Sequence, residues 1–120
     1  MSEALRNSAI EQHKAGQFGE AQKLYRAAIA DNPRDAVAHN LLGMVLHQTG
    51  DLAGALSEIE QALVLDPTYA QAFNNRGIVR QAQGETGAAI EDYRRAIALK
   101  PEFRQGAGQS GFGPRTRGAA

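Results

Sequence analysis

The sequence predicts an all-α fold of six antiparallel helices, paired as three helix–turn–helix units. The first observation is a period. Pro33, Pro67 and Pro101 are spaced by 34 residues, and so are Gly16, Gly50 and Gly84, and Ala21, Ala55 and Ala89. Ala28, Ala62 and Ala96 keep the same step, as do Tyr25, Ile59 and Tyr93, and Ile29, Leu63 and Ile97. The second is that apolar residues inside each period recur at helical spacing. The third is composition: no Trp, 6% aromatic residues and abundant Ala and Gly point to a core made by close helix–helix approach rather than by large rings.

The units run over 2–35, 36–69 and 70–103, and the helices are expected at roughly 2–15, 19–31, 36–49, 53–65, 70–83 and 87–99. In the first unit, Ser8 and Gln12 are polar where the middle unit has Leu42 and Leu46, which suits a first helix with solvent on one side. In the middle unit, Leu42, Val45 and Leu46 form an i, i+3, i+4 stripe that ends at Gly50, a residue able to take the left-handed conformation that closes a helix. Asp51 then offers a side-chain oxygen to the free N–H groups of the next helix. Leu52, Ala55, Leu56, Ile59, Ala62 and Leu63 share one face of that helix. It ends before Pro67, which pushes the preceding residue out of the α region. Gly43 and Ala55 are small enough to mark the crossing of the two helices, with larger side chains at 59 and 63 filling the space beyond.

The third unit carries Arg76 and Arg80 where the second has leucines. The favoured reading packs their stems and sends the guanidinium groups to solvent or to a nearby acid; the other makes them a docking spot for an anion. Glu58/Glu60 and Glu91/Asp92 read as solvated outer-face charges, with Glu91 and Arg95 forming an i, i+4 pair.

Charge and composition narrow the function. Thirteen basic and thirteen acidic residues balance, which argues against a nucleic-acid or polyanion binder, and residues 1–103 hold three more acids than bases. The absence of Cys removes thiolate catalysis and Cys-based zinc sites and fits a reducing compartment. The opening "MSEALRNSAIEQHKAG" has no apolar core of a secretory signal, and no run approaches the ~18 apolar residues of a membrane span, so a cytoplasmic protein without membrane contact is expected. No phosphate loop, nucleophile elbow or metal-binding His pair occurs, so neither catalysis nor a cofactor is expected. Residues 104–120, with five glycines and three arginines, read as a disordered tail after the 1–103 repeat domain.

Leu5…Ser8-Ala9…Ala21…Tyr25…Ala28…Pro33, His39…Leu42-Gly43…Ala55…Ile59…Ala62…Pro67 and Phe73…Arg76-Gly77…Ala89…Tyr93…Ala96…Pro101 together resemble the tetratricopeptide repeat, over 102 of 120 residues. The resemblance implies a right-handed α-solenoid whose concave groove is lined by the first helix of each repeat. Carried over residue by residue, the groove holds Arg6, Asn7, Ile10 and His13 from the first unit. The second supplies Asn40, Leu41, Met44 and His47, and the third Gln71, Asn74, Asn75, Ile78 and Gln81. Ile10, Met44 and Ile78 make an apolar row beside the hydrogen-bonding row His13, His47, Gln81, while the amides Asn7, Asn40, Asn74 and Asn75 both donate and accept, as an extended peptide backbone requires.

The resemblance therefore implies a protein–protein interaction module that binds a peptide segment of a partner. Two alternatives stand beside it. One is a truncated N-terminal segment of a larger glycosyl- or sulfotransferase, presenting substrate; the other is an oligomerisation element, a homodimer through the last repeat with Ile90 and Ile97 on its open face. The family's clamp for acidic C-terminal peptides is not implied: of its five positions this chain matches Arg6 and then has Ile10, Leu41, Gln71 and Asn75. The family's asparagine ladder is likewise broken, reading Asn7, Leu41, Asn75.

Overall fold

The computed structural model describes residues 2–102. Within them lie six α-helices: α1 (Ser2–Lys14), α2 (Phe18–Asp31), α3 (Ala36–Gln48), α4 (Leu52–Leu65), α5 (Ala70–Ala82) and α6 (Thr86–Leu99). The fold is all-α among the described residues, and every boundary falls within one residue of the expected one. The segment read as a disordered tail lies outside the described residues.

The chain forms two compact units, the first ending at Pro67 and the second starting at Thr68. The first holds α1 to α4 and therefore two full repeats; the second holds α5 and α6.

Local chemistry sets the helix ends. Gly50 has φ +93°, the left-handed conformation the sequence required there, as have its counterparts Gly16 and Gly84. Asp51 caps α4 by accepting a hydrogen bond from the Gly54 N–H at 2.9 Å. Asp66, before Pro67, is extended at φ −140°, so α4 stops where proline sterics demand. No helix among the described residues is long and apolar enough to cross a membrane.

Packing inside each pair follows the small-residue columns. Tyr25, Leu42, Val45 and Ile59 are fully buried in the first unit, and Val79 in the second. A Cβ added to Gly43 would lie 2.5 Å from Ile59 Cγ1 and 3.0 Å from the Ala55 carbonyl oxygen, so α3 and α4 touch where no larger residue fits. Gly77 meets the Tyr93 ring in the same way. Ser8 is exposed and Gln12 half-buried on α1, in keeping with a helix facing solvent on one side. On α6, Ile90 and Leu99 are exposed, while Ile97 is half-buried.

Candidate functional site

Two first helices, α1 and α3, lie side by side in the first unit, and hydrogen bonds join them at both ends. At their N-termini Asp35 is the hub. One of its oxygens caps α3 by accepting from the Ala38 N–H at 3.0 Å; the other accepts from Arg6 Nη1 at 2.7 Å and from the Ser2 hydroxyl at 3.0 Å. Ser2 Oγ also lies 3.1 Å from the Ala28 carbonyl oxygen. Burial pushes the Asp35 carboxyl up, but the Ala38 N–H and the hydrogen bonds from Arg6 and Ser2 outweigh it and hold the group below its ordinary value. Arg6, expected in the groove, is committed to this ion pair.

At the far ends of the two helices His13 Nδ1 lies 3.1 Å from the Tyr25 hydroxyl, and His13 Nε2 pairs with Gln48 Oε1. The equivalent position of the third repeat repeats half of this arrangement: the Tyr93 hydroxyl donates to Gln81 Oε1 at 3.2 Å. Burial pushes both phenols up to about 12, with the Asp92 charge adding to the effect at Tyr93. In the middle repeat Ile59 stands where the tyrosines stand, and the buried His47 Nδ1 has no hydrogen-bond partner.

Between these ties, Ile10, Leu41, Met44 and His47 are half-buried on α1 and α3, and Asn7 is exposed. In the second unit Gln71 is exposed, and Ile78 and Gln81 are half-buried on α5.

Three of the four expected amides sit deeper than a surface role requires. Asn40 is 0% exposed, and Asn74 and Asn75 are each 4% exposed. Asn40 is already engaged by a polar partner, and Asn75 Oδ1 accepts from Gln71 Nε2 at 3.1 Å. Asn74 Oδ1 is buried without a hydrogen-bond partner. A wholly buried amide cannot offer a bond to a ligand at the surface, so Asn40 belongs to the packing.

Two acids read as solvated are not. Asp92 is 2% exposed on α6 and receives Arg76 at 2.9 Å, 3.1 Å and 3.2 Å and Arg80 Nη1 at 3.2 Å. Glu58 bonds His39 Nδ1 at 2.8 Å. The arginine stems pack and their heads reach a nearby acid, the first of the two readings, and that acid is Asp92. Glu91 pairs with Arg94 at 3.4 Å rather than with Arg95, whose guanidinium stands 5.5 Å over the Phe73 ring; Arg76 occupies the same distance from it. A signal for Asp92 was present: two arginines replacing two leucines on one helix face call for an acid on the helix packed against it.

Two tetratricopeptide repeat family models match the chain, one over residues 7–70 and one over residues 70–103. Among solved structures, the first tetratricopeptide domain of Spaghetti (RPAP3), bound to the HSP90 peptide SRMEEVD, has a TM-score of 0.81 at 24% identity, covering 91% of this chain and 91% of that one. The tetratricopeptide domain of Arabidopsis OM64 has a TM-score of 0.84 at 22% identity, covering 91% and 92%. MamA has a TM-score of 0.82 at 27% identity, covering 91% of this chain and 63% of its own. No curated protein sequence is a significant match. Period, helix pairing and both family matches agree: the chain belongs to the tetratricopeptide repeat family.

Proposed function

We propose that this chain is a non-catalytic, cytoplasmic interaction module that binds an extended peptide segment of a partner protein, with the first helices of its repeats supplying the contacts. One observation carries the reading: α1 and α3 are tied at both ends, and between the ties Ile10, Leu41 and Met44 stay half-buried while Asn7 is exposed. Part-exposed apolar side chains with an exposed amide, which both donates and accepts, suit one or two ligand side chains and the adjoining backbone. Asn7 and His13 belong to the proposed surface of the first unit; in the second unit the candidate contacts are Gln71, Ile78 and Gln81, with Asn74 and Asn75 contributing only through what little of them is exposed. Related folds support the class of ligand, since both tetratricopeptide domains of RPAP3 are solved with a peptide.

The ligand is not the acidic C-terminal type. Arg6 is the one residue that matches the clamp, and Asp35 already neutralises it. An overlapping array of uncharged and weakly charged peptides tests the proposal against a peptide ending SRMEEVD. Binding is expected to members carrying one or two large apolar residues, lost in Met44→Glu and in Leu41→Glu variants that keep their helical spectrum, and not to the acidic peptide. No bound peptide, or binding that ignores both substitutions, overturns it.

Ile90 and Leu99, exposed at 43% and 38% on α6, favour self-association as a second reading. Sedimentation over a concentration series then shows a mass that rises with concentration, and a constant monomer mass removes that reading.

A further inference from the structure

One side of α6 has the pattern of an inner face. Ile90, Tyr93 and Ile97 recur at i, i+3 and i+7, which sets them in one stripe along the helix. Ile90 is 43% exposed, and Tyr93 and Ile97 are half-buried. The first unit shows the same position when it is covered. Tyr25 stands where Tyr93 stands in its repeat; there α3 packs on α2, and Tyr25 is 0% exposed. No helix follows α6 among the described residues.

Residues 103–120 have the position, reach and charge to cover that stripe. They follow Pro101, which lies four residues past Ile97, so they start at the end of the stripe. Ile90 lies nine residues before Leu99, about 14 Å back along the helix at ~1.5 Å per residue. Phe112 lies thirteen residues after Leu99, a span of up to about 43 Å when extended, so it reaches Ile90 with slack for the turn. Phe103 and Phe112 are the aromatic residues of the segment. Arg115 and Arg117 follow Phe112 by three and five residues, and Glu85, exposed at the start of α6, precedes Ile90 by five. Chain running back along α6 with Phe112 at Ile90 brings two cations to that carboxylate.

We propose that residues 103–120 fold back along α6 as an extended strap, with Phe112 on Ile90 and Ile97 and the arginines beyond it at Glu85. Five glycines and Pro114 disfavour a seventh helix in this segment, and the glycines let its backbone lie close to the stripe. The strap and a second copy compete for Ile90, so this occupant excludes self-association through the same stripe. Tethering favours the strap, because it holds Phe112 at an effective concentration on the order of millimolar.

The test uses the full chain with isotope-labelled isoleucine methyl groups and phenylalanine rings. Nuclear Overhauser contacts from a phenylalanine ring to the Ile90 and Ile97 methyls are expected in wild type and are lost in Phe112→Ser, while the methyl shifts of Ile10 and Ile59 in the first unit stay in place. Phe112 lies outside the six helices, so the variant is expected to keep its helical spectrum. In urea melts its folding constant is expected to fall about five- to tenfold, less than the full burial of a phenylalanine would give. Sedimentation of wild type is expected to show a monomer throughout a concentration series. Ile90 and Ile97 signals that do not respond to Phe112→Ser overturn the proposal. Contacts that appear only as the sedimenting mass rises with concentration assign the stripe to a second copy and overturn it as well.

Discussion

Replacing Arg76 and Arg80 together by leucine is expected to destabilise the second unit by about 3–5 kcal/mol, the usual effect of leaving a buried charge without its partner. Asp92 is 2% exposed, and those two guanidinium groups are the cations bonded to it. Leucine at 76 and 80 restores what the middle repeat has at 42 and 46, so the side chains themselves suit the fold. The damage comes from the carboxylate they abandon. Adding Asp92→Leu, which reproduces Leu24 of the first repeat, is therefore expected to recover most of the loss, because a buried ion cluster exchanged whole for apolar residues is often neutral or stabilising. Urea denaturation followed by far-ultraviolet circular dichroism measures all three variants. If the triple variant is no more stable than the double, repulsive burial of Asp92 is not the cause. If the double variant matches wild type, the cluster contributes nothing.

That cluster also marks the limit of what the sequence makes legible. The helices were legible because their causes are local and repeated three times: Gly50 and its counterparts close first helices, Asp51 opens α4, and the residue before Pro67 must leave the α region. The crossing at Gly43 and Ala55 was legible because only small residues recur there, and the reason is steric: a Cβ on Gly43 would lie 2.5 Å from Ile59 Cγ1. Charge partners were not. Periodicity places Asp92 and Glu58 on a second helix without saying that this part of the face turns toward the first, so both read as solvent-facing. The burial of Asn40, Asn74 and Asn75 was not legible either. Asn40 and Asn74 occupy the same position as Arg6, which is half-buried and long enough to reach Asp35, whereas the short amide side chains remain inside. Length alone does not decide exposure, since Asn7 is exposed while Asn75, the same residue at the same repeat position, is 4% exposed.

Asp35 is the second place where one carboxylate carries a large effect, and here pH reveals it. Asp35→Ala is expected to cost about 2–4 kcal/mol, since it removes the α3 cap, worth about 1 kcal/mol, and leaves Arg6 without its partner. Asp35→Asn keeps a capping oxygen but not the charge, so it isolates the ion pair. The folded state holds the Asp35 carboxyl below its ordinary value, and in that interval it binds fewer protons than the unfolded chain. Its stabilisation is thus fully present above the unfolded value of about 3.9 and is lost as pH falls through the lower folded value. Urea melts of wild type and Asp35→Asn should differ at neutral pH and converge below about pH 4. A gap that stays constant into acid would mean that the loss in Asp35→Asn comes from packing and not from charge. Because Asp35 also joins α1 to α3, the variant bears on function: with the N-terminal tie weakened and the His13–Gln48 tie intact, the two helices are free to splay at one end. Peptide affinity should then fall at neutral pH by more than the population of unfolded chain explains.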